Sequence, residues 1–137
     1  MKNKKPILLA TLGFPGSGKT HFAYRFAKKN NMVHLNSDVI RQIMFLKPRY
    51  TKAETESVVR IMHFISESFL SRGQGVIFDM NNNKREHRKY LQGLAKKYNV
   101  PYLLFWFRIE YDGALKRIKE RNATKGKSVG RAHVHIG

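Results

Sequence analysis

The segment Gly13-Phe14-Pro15-Gly16-Ser17-Gly18-Lys19-Thr20 limits this chain more than any other part of it. It satisfies G-x-x-x-x-G-K-[ST], the pattern of a phosphate-binding P-loop. Its surroundings are those the pattern requires. Ile7-Leu8-Leu9-Ala10-Thr11-Leu12 reads as a buried strand just before it, and His21 to Lys29 reads as a helix just after. Glycines let the backbone curl so that successive N–H groups point at phosphate oxygens, and the helix N-terminus adds positive dipole at the same spot. Gly13, Gly16, Ser17 and Gly18 would form that cradle. Lys19 can reach the β- and γ-phosphates, and the Thr20 hydroxyl can ligate Mg²⁺. The expected ligands are therefore ATP and Mg²⁺. The alternative, a glycine-rich turn with a chance lysine, fits the flanking strand and helix poorly.

A length of 137 residues suggests one domain, and 42% hydrophobic residues can fill its core. No apolar run approaches the ~20 residues of a membrane span. Ile7 to Leu12 is too short for the core of a signal peptide, so export is not expected and free ATP makes the cytoplasm the default. There is no cysteine, which excludes disulfides and thiolate metal sites. The formal net charge is +18, from 27 basic and 9 acidic residues spread along the chain. Such a charge suits a polyanionic partner, because each neutralised phosphate releases counterions. A basic surface with no nucleic-acid role is the other reading, since charge speaks to non-specific binding.

Strands and helices alternate, which argues for an α/β fold with a parallel sheet. After the first strand and helix, Met32 to Leu35 reads as a second strand. Asn36-Ser37-Asp38 ends it and can cap a helix running to about Leu46, with Pro48 as the breaker. Thr51-Lys52-Ala53-Glu54 is a capping box that opens a long helix carrying Val58, Ile61, Met62, Ile65 and Phe69 at helical spacing. Val76-Ile77-Phe78 is a third strand ending at Asp79. Lys84 to Tyr98 is amphipathic with Tyr90, Leu91, Leu94, Ala95 and Tyr98 inward; Tyr102 to Phe107 is a fourth strand with Trp106 in the core. Tyr111 to Arg121 reads as a last, basic helix, and from Asn122 to Gly137 no strong periodicity is evident.

Asp38 and Asp79 each follow a strand, and ligands of an open parallel sheet sit at the carboxyl ends of its strands. Asp38 is either a base for an attacking hydroxyl or a first-turn helix acid. Arg41, three residues on, shares its helix face and either holds an acceptor phosphate or pairs with Asp38. Asp79 has the setting of a Walker-B-type acid, or of a strand-ending turn residue. Arg117 and Arg121 share a face that could close over the nucleotide as a lid, or be a solvated basic face. Lys84, Arg85, Arg88 and Lys89 read most simply as a solvated face. His133 and His135 lie on one side of an extended segment with no third metal ligand after them; His21, His34, His63 and His87 read as packing or surface residues.

In chain order, the P-loop at 13–20, Asn-Ser-Asp-Val-Ile-Arg at 36–41, Val-Ile-Phe-Asp-Met-Asn at 76–81 and Lys-Arg-Ile-Lys-Glu-Arg at 116–121 carry a resemblance. The chain resembles the P-loop kinases that include the 5′-kinase domain of polynucleotide kinase and the zeta-toxin-like, AAA-type small kinases. The resemblance runs from about Leu8 to Lys125, and its second motif is far more specific than its first. It implies a single α/β domain over 1–137 with a four-stranded parallel sheet in the order 2-3-1-4 and a lid around 111–127. It implies that Lys19 and Thr20 bind ATP and Mg²⁺, that Asp38 is the general base for an acceptor 5′-hydroxyl, and that Arg41 grips the neighbouring phosphate. It also implies Asp79 in the acceptor site and Arg121 as the lid arginine at the donor phosphates, with Arg117 as second candidate. The long helix that follows the lid in that family is missing after Lys125, which leaves a truncated C-terminus open. The expected function is transfer of the ATP γ-phosphate to a nucleic-acid 5′-hydroxyl. A kinase for a small molecule or nucleotide sugar, and an ATP-binding nucleic-acid adaptor without kinase activity, are the alternatives.

Overall fold

A computed structural model describes residues 5–13, 18–80, 84–108 and 131–136. Its strands are β1 (Leu8–Gly13), β2 (Val33–Asn36), β3 (Val76–Asp79), β4 (Tyr102–Arg108) and β5 (Arg131–Ile136). The helices are α1 (Lys19–Asn30), α2 (Ser37–Met44), α3 (Lys52–Ser71) and α4 (Arg85–Lys97). The sheet order is β2-β3-β1-β4-β5. The first four strands are parallel, in the expected order 2-3-1-4. The fifth is an addition: β5 runs antiparallel to β4, with Leu104 opposite His135 and Trp106 opposite His133. Arg131-Ala132-His133-Val134-His135-Ile136 alternates polar and apolar residues, in keeping with the extended segment expected at His133 and His135.

Leu8, Leu9 and Ala10 are all fully buried because β1 is central and covered on both faces. Strand parity divides the core. Leu8, Ala10, Leu35, Val76, Phe78 and Tyr102 face one side, where Val58, Val59 and Met62 of α3 and Leu91, Leu94 and Ala95 of α4 pack. Leu9 and Ile77 face the other, against Ala23 and Ala27 of α1. Phe22 and Phe26 of α1 meet Phe105 of β4 there, with ring centroids 4.6 and 5.8 Å away. Two inward assignments fail: Trp106 is 37% exposed and Tyr90 is also exposed, as is Ile61, which shares helical spacing with the buried Val58 and Met62. Tyr90 instead stacks on His63 at 3.9 Å.

Local chemistry fixes the helix ends. Asn36 caps α2 by accepting from Val39 N, and Thr51 caps α3 by accepting from Glu54 N. The α2 helix stops at Met44, four residues before the proline expected to end it. Among the described residues no helix is long and apolar enough to cross a membrane. The lid region around 111–127 lies outside the described residues.

Candidate active site

Parity that buries Leu9 and Ile77 against α1 also sets the site. Two residues further along each strand, Thr11 and Asp79 take the same face, beside the N-terminus of α1. In β2, His34 pairs with Ile77 and Asn36 with Asp79, so both share that face. The three strands end at one edge of the sheet, and their last polar side chains converge there.

Asp79 is the centre of the arrangement and is wholly buried, at 0% exposure. Lys19 Nζ donates to its Oδ1 at 2.6 Å, and Thr11 Oγ1 donates to the same oxygen at 3.1 Å. Asn36 Nδ2 donates to Oδ2 at 2.9 Å, and His34 Nε2 lies 2.8 Å from Oδ2, which it reaches as a donor in its Nε2–H form. Burial alone would push the Asp79 carboxyl up. The hydrogen bond from His34, the charge and hydrogen bond of Lys19 and the bond from Asn36 outweigh that and hold it far below the usual carboxylate range. Lys19 is only 3% exposed. Gly18 precedes it with φ of +90°, a conformation that suits glycine at the start of α1. Thr20 lies in the first turn of α1 and lines a cleft of about 550 Å³ with His21, Tyr24, His34, Asn36 and Val39.

Asp38 sits in the first turn of α2, on a helix whose cap, Asn36, is itself bonded to Asp79. Arg41, one turn further, is 6% exposed, and its partner is Glu54 of α3. Its Nη2 also donates to Thr55 Oγ1 at 3.0 Å, and its guanidinium carbon stands 4.7 Å from the centre of the Tyr50 ring. Glu54 is thus not the reciprocal half of a capping box. Its carboxylate accepts from Arg41 and from the backbone N–H groups of Arg49 and Tyr50. Burial works against the charge of Glu54, but those bonds hold its carboxyl below the ordinary range.

The structure therefore brings Lys19, Thr20, Asp38 and Asp79 to one edge and sets Arg41 one helical turn away. Gly13 ends β1 at that edge. Gly16, Ser17, Arg117 and Arg121 lie outside the described residues. Sequence reasoning missed Thr11 and Glu54, and it misread His34 as packing or surface. For His34 and Thr11 the signal was strand parity, since each lies two residues from a position already placed. Glu54 gave only the signal of a helix cap.

Strand, P-loop, helix and strand-end aspartate together define a P-loop kinase fold. A family model described as an AAA domain matches residues 8–135, and the chain belongs to that family. The chain is 29% identical over 102 residues to a protein of Acanthamoeba polyphaga mimivirus named as a bifunctional polynucleotide phosphatase/kinase. That match covers 74% of this chain and 20% of the viral protein, so the chain spans about a fifth of that relative's length. A chain in the structure of the Pnkp1/Rnl/Hen1 RNA repair complex superposes with a TM-score of 0.64 at 26% identity, over 92% of this chain and 40% of that one. The APS kinase CysC of Mycobacterium tuberculosis, in complex with AMPPNP and APS, shares the fold with a TM-score of 0.60 at 15% identity, over 89% of this chain and 73% of that one.

Proposed function

We propose that this chain transfers the γ-phosphate of ATP to a hydroxyl group, and that the acceptor is the 5′-hydroxyl of a nucleic acid. The observation that carries the proposal is a continuous run of contacts. Lys19 is bonded to Asp79, Asp79 to Asn36, and Asn36 caps the helix that bears Asp38 and Arg41. A donor-side lysine and acceptor-side residues are thereby tied to one rigid edge, as phosphoryl transfer by positioning requires. In this reading Lys19 turns from Asp79 to the β- and γ-phosphates when nucleotide arrives. Asp38 takes the proton of the attacking hydroxyl, the new O–P bond forms, and ADP leaves. Thr20, on the first turn of α1, is suited to hold Mg²⁺, which when bound neutralises charge on the phosphates. Arg41 grips the phosphate next to the reacting hydroxyl, and Arg121, or Arg117 as the second candidate, serves the donor phosphates from a lid. The domain is read as single, with the cytoplasm as its compartment. The net charge of +18 supports a polyanionic acceptor.

One observation favours a small-molecule acceptor instead: the Arg41 fork is already held by Glu54 and Thr55. Radiolabel transfer from ATP to a 5′-hydroxyl oligonucleotide, the matching nucleoside and a panel of sugars separates the readings. The oligonucleotide should be preferred, and Arg41→Ala should erase that preference while sparing the nucleoside. Equal use of both by the wild type, or equal losses in the variant, overturns the nucleic-acid acceptor. Transfer to none of them overturns the kinase.

A further inference from the structure

The loop between α2 and α3 presents an aromatic ring in a setting that an ordinary surface tyrosine does not have. Tyr50 has φ of +58°, a left-handed conformation that strains a non-glycine residue. Its N–H is tied to Glu54 Oε1 at 3.3 Å, and the N–H of Arg49 to Oε2 at 2.8 Å, so the backbone at Arg49 and Tyr50 is pinned in that strained form. One face of the ring lies against the Arg41 guanidinium. The residue is nevertheless 64% exposed, which leaves the opposite face to solvent. Lys47, Arg49 and Lys52 lie within three residues of it in the chain, all exposed. A pinned ring with one open face, in a loop rich in exposed cations, has the composition of a single-strand stacking platform.

We propose that Tyr50 is a stacking platform for a nucleobase flanking the phosphate that Arg41 grips, with Lys47, Arg49 and Lys52 meeting the neighbouring backbone phosphates of a single-stranded acceptor. The inference rests on the polynucleotide reading above and adds a base subsite to it. Stacking accepts any base, so the platform selects for a strand without selecting a sequence. Its simpler competitor is a ring that only shields the Arg41–Glu54 pair.

The test compares a 5′-hydroxyl oligonucleotide with the same oligonucleotide made abasic at its first two nucleotides. Wild type should use the intact strand about tenfold or more better, the scale of one base–aromatic stack. Tyr50→Phe should keep that preference. Tyr50→Leu still covers Arg41 with apolar surface, and it should bring the two strands to within about twofold by raising KM for the intact one alone. Tyr50→Gly, which relieves the backbone strain, should do the same and serves if the leucine variant folds poorly. Phe64→Leu, at an exposed aromatic elsewhere on α3, should keep the full preference. A wild type indifferent to the bases, or a Tyr50→Leu loss equal on both strands, overturns the platform while leaving the kinase reading standing. Failure to phosphorylate either strand overturns both.

Discussion

Asp79→Asn tests the centre of the site without changing its shape. The carboxylate accepts from four donors, two at each oxygen. An amide offers one oxygen and one NH₂, so one pair of donors must face another donor. With the oxygen turned to Lys19 and Thr11, the NH₂ meets His34 and Asn36. His34 can exchange tautomer and accept. Asn36 cannot turn over, because its Oδ1 is the cap of α2. The remaining cost is one opposed pair of donors and a buried ammonium without its counter-charge. Breaking a buried ion pair costs about 3–5 kcal/mol, and the retained amide oxygen places this case near the lower end, about 3 kcal/mol. For a chain of this size that is a fall in melting temperature of roughly 10 °C. Urea unfolding should show it as a lower midpoint at unchanged slope. The pH dependence has a definite sign. The folded Asp79 carboxyl is depressed, so its contribution is complete above the unfolded value of about 3.9 and is lost as pH falls through the folded one. The gap between wild type and variant should therefore be constant from pH 5 to 7 and narrow only below about pH 4. A loss under about 1 kcal/mol, or a gap already closing at pH 6, would refute the argument that Asp79 is held as a buried anion by Lys19.

Lys19→Ala should reduce phosphotransfer by far more than tenfold, measured by radiolabel transfer, and should also lower stability by about 3 kcal/mol, the lower end of the cost of breaking a buried ion pair, because Thr11, His34 and Asn36 still hold Asp79. Asp38→Asn should lower kcat about 10²–10⁴-fold with ATP affinity little changed in a binding titration; an equal loss of ATP affinity would move Asp38 to the metal side. Thr51→Ala should cost about 1 kcal/mol in urea unfolding through loss of the α3 cap. Burial and the neighbouring His87 push His63 down to about 4, and burial lowers His87 too, so stability should fall as pH drops from 6.5 toward 4. His63→Phe should flatten part of that decline.

The fold was legible where sequence pattern and local chemistry agree. The apolar runs at 7–12, 76–78 and 102–107 gave three strands of the parallel sheet. Asn36 and Thr51 gave two helix starts, and both cap as their side chains allow. What escaped depends on neighbours distant in sequence. The Glu54 carboxylate is drawn from its own helix cap to Arg41, thirteen residues earlier, and nothing local announces that competition. β5 forms by pairing with the open edge of β4, a partner that no window over 131–136 contains. Trp106 lies in a strand that is central in sequence pattern yet opens one flank to solvent.

The misreading of His34 has a more general cause. On the α1 side of the sheet, residues of one parity pass from core to site within a single step of two. Leu9 gives way to Thr11 in β1, and Ile77 to Asp79 in β3. In β2 the change comes one step earlier, because His34 already stands opposite Ile77. β2 lies at the sheet edge, where the cleft between α1 and α2 opens beside it and a polar residue can replace an apolar one without being sealed in. The strand that leads into α2 is thus the one whose polar end reaches deepest. That gives Asp79 two donors, His34 and Asn36, from β2 to set against Thr11 from β1 and Lys19 from α1. In the proposed reaction Lys19 moves to a nucleotide, and the first pair still holds the carboxylate in place. The edge that bears Asp38, the proposed base, then keeps its shape through that step, as a site built on preorganised groups must.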